Sequence, residues 1–307
     1  MRNDSLTRLS LIIISGLFVL FGAYCQPQVP KIVEFADMKL ELTDAARKNI
    51  QKDVDALHSS PTHLQKRLDV INLYFPIIER IFKEEGVPDD IKYLVIQESG
   101  LVADAVSTSN AVGFWQFKDF TAREVGLRVD NQVDERKNIV SATRGAAKYL
   151  KRNNFQFDNW AYAISAYQAG LGGVRRYVDK KYYGAKKMPI TPDTHWYLLK
   201  FIAHKVAFEG MTGDRHSEGL ELVEYTKGGG KDLERIARDA KIDPELLRYY
   251  NKWIAKGVLA DFFVSVVRIH DPLSLLCSRQ TFVCCRRLFS RLCCIKGEGW
   301  PGSELAS

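Results

Sequence analysis

Cysteine is missing from the whole stretch between Cys25 and Cys277, and Cys277, Cys284, Cys285, Cys293 and Cys294 crowd the C-terminal end. The body of the chain therefore depends on neither disulfides nor thiol chemistry. The C-terminal cysteines lack CxxC spacing, and no two of the six histidines stand four residues apart, so neither a metal site nor a cofactor is expected. A strong charge bias is also lacking. Six Lys/Arg against three Asp/Glu in residues 264–307, and two against one in residues 1–25, leave only +3 of the total +7 on residues 26–263. No basic stripe remains to call for nucleic acid. Apolar residues at 46% and charged residues at 26% exclude collagen-like, coiled-coil and wholly disordered chains, and 307 residues are too many for a disulfide-stapled miniprotein.

What is present begins at the N-terminus. Arg2 and Arg8 precede an apolar run over residues 9–20, and Gly22-Ala23-Tyr24-Cys25 follows. A positive start, a short apolar segment and small residues at the cut are the layout of a secretory signal over residues 1–25. The run is shorter than the roughly 18 residues of a permanent span. Cleavage after Cys25 puts Ala23 and Cys25 at the two small-residue positions. The rival is a lipidated Cys25 anchoring the chain to a membrane, against which the bulk of Tyr24 counts. The chain is expected in the periplasm or cell envelope, with an outer-membrane lipoprotein as the second reading.

Residues 26–67 are mixed and polar, a linker or helical lead-in. From Leu68 the positions Leu68, Ile71, Leu73, Phe75, Ile77, Ile78, Ile81 and Phe82 follow a helical pattern, with Pro76 expected to kink or restart it and Gly86 to stop it. Pro88-Asp89-Asp90 opens the next helix. Further helices are expected near residues 140–151, 160–169 and 195–209, and no alternating strand pattern is visible before residue 210. Residues 68–210 read as an all-α domain. Residues 222–263 read as strand–helix–helix around Gly228-Gly229-Gly230, and residues 264–307 as an aberrant or disordered Cys/Arg-rich tail.

One helix carries an acid in an unusual place. Ile91, Leu94 and Val95 fall at i, i+3 and i+4, and Glu98 continues that apolar stripe at i+7. Burial penalises an ionised carboxylate, so its pKa should rise, which suits a general acid. Alone, this pattern fits a structural acid paired with Lys or Arg somewhat better, since structural acids outnumber catalytic ones. The sequence beyond it decides. Ser107 lies nine residues on, Asn110-Ala111-Val112-Gly113-Phe114-Trp115-Gln116 follows, then Ala166-Tyr167-Gln168-Ala169-Gly170, then Thr191-Pro192-Asp193-Thr194-His195-Trp196-Tyr197.

This order and spacing resemble the catalytic domain of the soluble and type D membrane-bound lytic transglycosylases, relatives of goose-type lysozyme. The resemblance covers about residues 68–210 and implies a mainly α, lysozyme-like fold. By it, Glu98 is the catalytic acid/base and Ser107 neighbours the substrate N-acetyl group. Gln116 contacts glycan, Tyr167 and Gln168 line the cleft, and Tyr197 sits beside Glu98. Gln168 departs from the usual Asn, and Lys118 from a frequent Met. Residues 222–263 resemble a LysM module, a small βααβ unit that binds carbohydrate, complete only if Val264–Ile269 supplies its closing strand. The implied partner is peptidoglycan glycan strands. The implied function is non-hydrolytic cleavage of the MurNAc–GlcNAc bond to anhydro-MurNAc ends during cell-wall remodelling. Two alternatives stay open: a goose-type muramidase, which needs a second carboxylate among acids such as Asp104, Glu124, Asp130 or Asp134, and a non-catalytic peptidoglycan binder. The oligomeric state is not legible.

Overall fold

The apolar stripe that begins at Leu68 belongs to a longer helix than its spacing indicates. The computed structural model of the chain describes residues 26–212, 220–225 and 229–255, and the backbone of strand 264–269. The expected export signal over residues 1–25, with Cys25, and the tail beyond residue 269 lie outside the described residues. Residues 26–67 are no linker. They form strands β1 (Ile32–Phe35) and β2 (Met38–Leu42), helix α1 (Asp44–His58) and the first turns of α2 (Pro61–Glu85).

Helix α2 starts on a Ser60 cap with Pro61 in its first turn, and ends at Gly86 in left-handed conformation. It runs unbroken through Pro76. Pro76 is exposed, so the carbonyl of Asn72 deprived of its partner lies on the water-facing side. The opposite face buries Ile71, Phe75, Ile78, Ile81 and Phe82, each worth about 1.5–3 kcal/mol of burial, enough to hold the helix across the missing bond. After Gly86, residues Asp89–Tyr93 form a 3-10 turn and only Leu94–Ser99 is α-helical (α3). Then come α4 (Asp119–Glu124), α5 (Ile139–Phe157), α6 (Trp160–Val174), β3 (Lys187–Ile190) and α7 (Trp196–Phe208).

The strands before residue 210 correct the all-α expectation. β1 and β2 form a hairpin, and β2 pairs in parallel with β3 from Lys39↔Lys187 to Leu42↔Ile190. Val33, Phe35, Met38, Leu40, Leu42, Met188 and Ile190 share the buried face, where Phe35 meets Phe201 of α7 edge-on at 5.0 Å. The hairpin turn has no Gly or Asn signature. Ala36 takes a positive φ of 54°, and its N–H is held at 2.7 Å by Asp90. Asp90 in turn receives the ammonium of Lys205, 2% exposed, at 2.7 Å. A distant buried ion pair does the work usually left to turn chemistry. The sheet thereby braces α7, whose first turn faces α3.

Beyond α7, β4 (Leu220–Tyr225), α8 (Leu233–Ala240), α9 (Pro244–Tyr250) and β5 (Val264–Ile269) follow in βααβ order. β4 and β5 pair antiparallel over six residues. The closing strand comes from residues assigned by sequence to the tail, and the sheet is not left open. Ile236, Ala237, Leu247 and Trp253 form a small core into which Val133 of the helical body also packs. The Asp134 N–H donates to the Trp253 carbonyl at 2.8 Å, and Lys252 pairs with Asp104 at 3.0 Å. Among the described residues no helix is long and apolar enough to cross a membrane.

Candidate active site

Helix α3 ends where it must. Gly100 in left-handed conformation stops it one residue after Ser99, so Glu98 sits in its last turn at the floor of a cleft of about 870 Å³. Ile91, Leu94 and Val95 are fully buried on the same stripe. The Ser99 hydroxyl donates to the Phe114 carbonyl at 2.7 Å and accepts the Leu101 N–H at 3.1 Å, tying the helix end to the loop that forms one wall.

That loop depends on one glycine. Gly113 has φ 84°, and a Cβ there would lie 1.9 Å from the backbone oxygen of Arg136. Its close approach lets Trp115 drop into the core, where the indole N–H donates to Thr143 at 3.0 Å. Gln116, at φ 50°, remains on the cleft wall. Its amide nitrogen donates to the carbonyls of Ala105 and Gly113 at 3.1 and 2.9 Å. With both amide hydrogens used, its oxygen is the group left for a ligand. Ser107 closes the preceding turn: its hydroxyl accepts the Ala111 N–H at 3.0 Å and lies 3.2 Å from that of Ser109.

The other wall comes from α6 and α7. Asn159 caps α6 by accepting the Tyr162 N–H. The helix breaks at Gly170, with φ 67° and ψ 164°, directly after the cleft-lining run Tyr167-Gln168-Ala169. The Tyr167 hydroxyl donates to the Trp115 carbonyl at 2.8 Å, and its ring packs at a right angle on Tyr149 at 5.3 Å. Gln168 is exposed on the rim. Tyr197 is buried in the first turn of α7, and its hydroxyl donates directly to Glu98 Oε1. The sequence-predicted residues Glu98, Ser107, Gln116, Tyr167, Gln168 and Tyr197 thus all line one cleft, as does Lys118.

Burial pushes the Glu98 carboxyl up to about 7, and the bond from Tyr197, which favours the charged form, holds it from rising further. A carboxyl poised there can give a proton and take one back at neutral pH. Among the described residues lining the cleft, Glu98 is the only acid. The four other acids weighed from sequence are engaged elsewhere. Asp104 pairs with Lys252, Glu124 with Arg152 at 2.7 Å, Asp130 with Arg128 at 2.5 Å, and Asp134 with Arg136 at 2.8 Å. The Val133 N–H, then the Arg128 pair and the Gln132 N–H, hold Asp130 down to about 2, and Lys252 lowers Asp104.

Several lining residues escaped the sequence reading: Arg67, Gln97, Tyr149, Lys200 and His204. Lys200 and His204 stand at i+3 and i+7 from Tyr197, so helical spacing could have found them. Gln97 donates to the Tyr197 carbonyl at 3.3 Å and helps seat α7 on α3. Arg67, on α2, carries no local signal.

Residues 75–189 match the family described as Transglycosylase SLT domain. The chain is 30% identical over 188 residues to membrane-bound lytic murein transglycosylase D of Escherichia coli strain K12, covering 58% of this chain and 42% of that protein. The same figures hold for its counterpart in Escherichia coli O6:H1 strain CFT073. The chain therefore spans less than half the length of these curated relatives. Among solved structures, an inactive mutant of lytic transglycosylase Slt from Pseudomonas aeruginosa aligns with 21% identity and a TM-score of 0.33, over 54% of this chain and 26% of that one. The matched segment includes Glu98, Ser107, Gln116, Tyr167 and Gln168. It ends before Tyr197.

Proposed function

Because residues 75–189 are an SLT transglycosylase domain, we propose that this chain is a peptidoglycan lytic transglycosylase in which Glu98 acts as both acid and base. The observation that carries the reading is that Glu98 is the single acid in the cleft among the described residues, raised to about 7 by burial. Two-carboxylate hydrolysis needs a partner on the opposite side of the sugar. A lone carboxyl needs the substrate to supply the rest.

Protonated Glu98 gives its proton to the glycosidic oxygen between MurNAc and GlcNAc as the bond from MurNAc C1 to that oxygen breaks. The N-acetyl carbonyl of MurNAc stabilises the positive charge developing at C1. Glu98, now a carboxylate, takes the proton of the MurNAc C6 hydroxyl while the C6 oxygen bonds to C1 and closes the anhydro ring. The proton account balances, and no water is consumed. The Tyr197 hydroxyl stabilises the carboxylate formed between the two transfers. The Gln116 oxygen and the Ser107 hydroxyl face the glycan from one wall, and Tyr167 and Gln168 from the other. By the same reading the βααβ unit after α7 is a LysM-like glycan-binding module. The chain is exported to the envelope through residues 1–25, with or without a lipid on Cys25, for cell-wall remodelling.

Mass analysis of the muropeptides released from purified sacculi tests this. Products ending in anhydro-MurNAc, lighter by one water than lysozyme products, are expected. Reducing MurNAc ends as the main product would establish hydrolysis and overturn the one-carboxyl mechanism, and no release at all would leave a binding protein.

A further inference from the structure

The wall of the cleft beside Tyr197 carries charge that the proposed reaction does not use. Arg67 of α2 and Lys200 of α7 line it, with His204 one turn further along α7. Neither cationic head has an ion-pair or hydrogen-bond partner among the described residues, and Lys200 only lies over the Trp196 ring at 5.7 Å. Elsewhere the less exposed cations are satisfied, as Lys92, Arg136 and Lys205 are by acids at 2.6–2.8 Å. All of these wall residues fall outside the segment matched by the SLT family.

His204 complements them. Its Nδ1 lies 2.8 Å from the Lys200 carbonyl, which can only accept, so Nδ1 carries the proton and Nε2 is left as an acceptor. Burial first, then the charges of Arg67 and Lys200, hold its pKa down to about 4 against the opposing pulls of the bond to the Lys200 carbonyl and of Asp53 on α1, so the ring is neutral at pH 7. The wall thus offers two positive donors, one neutral acceptor, and the half-exposed face of Trp196. In intact peptidoglycan the sugar rings carry hydroxyls and acetamides, and the lactyl carboxyl of MurNAc is tied up in the amide to its peptide, so the glycan itself has nothing to neutralise two cations. The carboxylates of peptidoglycan belong to its peptide stems.

We propose that Arg67, Lys200 and His204 form a stem subsite, the two cations binding a peptide carboxylate and His204 Nε2 accepting an adjacent amide N–H. The proposal rests on the lytic transglycosylase reading and assigns it a preference for glycan that still carries its peptides.

The test compares soluble glycan oligomers bearing tetrapeptide stems with the same oligomers stripped of stems by an amidase. Wild-type protein must release anhydro products from at least one of them; if it cleaves neither, the underlying activity is wrong and the subsite question does not arise. For the double variant R67Q/K200Q, KM on stem-bearing oligomers should rise about tenfold with kcat little changed, while the loss on stripped oligomers stays under about threefold. The charge-preserving R67K/K200R should keep most of the preference. Should the double variant melt below wild type, R67Q and K200Q singly carry the test, each expected to raise KM about threefold on stem-bearing oligomers alone. An equal loss on both substrates, none on either, or a loss mainly on the stripped oligomers, whose MurNAc lactyl carboxylate the amidase sets free, overturns the stem subsite.

Discussion

Replacing Glu98 by glutamine keeps the side-chain volume and an oxygen for Tyr197 to donate to, and removes the group that titrates. Loss of muropeptide release is the first expected outcome, and the more searching one is stability. In the folded chain the carboxyl sits at about 7, against 4.5 for an ordinary glutamate. Below pH 4.5 both folded and unfolded chains hold this proton and burial costs nothing. As pH rises from 4.5 to 7 the unfolded chain releases the proton while the folded one retains it, so the wild type loses stability. Above 7 the penalty is complete, about 3 kcal/mol. Glu98→Gln pays none of it. The variant should gain on the wild type by about 6 °C in melting temperature between pH 4.5 and pH 8, for a domain of this size. Scanning fluorimetry of both proteins at the two pH values reads the change in the gap, from which all other titrating groups cancel. A gap that stays constant, or that narrows at pH 8, would show that Glu98 is not desolvated and would remove the physical basis for its acid role.

Three further outcomes follow from the same geometry. Tyr197→Phe removes the bond that favours the charged carboxyl, so the alkaline limb of kcat/KM should move up by about one pH unit from about 7, with activity reduced; a limb that stays put or moves down would contradict the contact. Gly113→Ala places a methyl group 1.9 Å from the Arg136 carbonyl at a φ of 84°, and should cost more than about 3 kcal/mol and most of the activity; a melting temperature within about 2 °C of wild type would refute the close approach. Asp104→Asn, Glu124→Gln, Asp130→Asn and Asp134→Asn, made singly, should each leave turnover within about threefold of wild type. If one of the four proved as indispensable as Glu98, a two-carboxylate mechanism would replace the present one.

Much of the site was legible because its logic is local. Glu98 continues the stripe of Ile91, Leu94 and Val95, and Gly100 and Gly113 mark a helix stop and a close approach that few other residues tolerate. The strands were less legible. β1 and β2 do alternate, with Val33, Phe35, Met38, Leu40 and Leu42 inward, but each is five residues or fewer and the turn at Ala36-Asp37 lacks a glycine or asparagine. Pro76 misled in the opposite direction, since a proline on an exposed helix face costs one bond that the buried face can offset. Val264–Ile269 gains its meaning from β4, some forty residues earlier.

Chain order alone therefore determined the helical character of the body, the ordered motifs around the catalytic candidate and the acid chosen from among many. The helices and each motif depend on spacing along one helix or one loop, where neighbours in sequence are neighbours in space, and the choice of acid on the order of the motifs that follow it. Only the tertiary structure decided that, among the described residues, Glu98 is the one acid lining the cleft, with the rival carboxylates paired elsewhere to Arg152, Arg128, Arg136 and Lys252. The tertiary structure likewise carries Tyr197, which the resemblance put beside Glu98, onto that carboxyl across ninety-nine residues, and it alone sets Arg67 of α2 in the same wall as Lys200 of α7. A pKa near 7 is the product of that assembly, since desolvation comes from everything packed around a carboxyl and no stretch of sequence contains it.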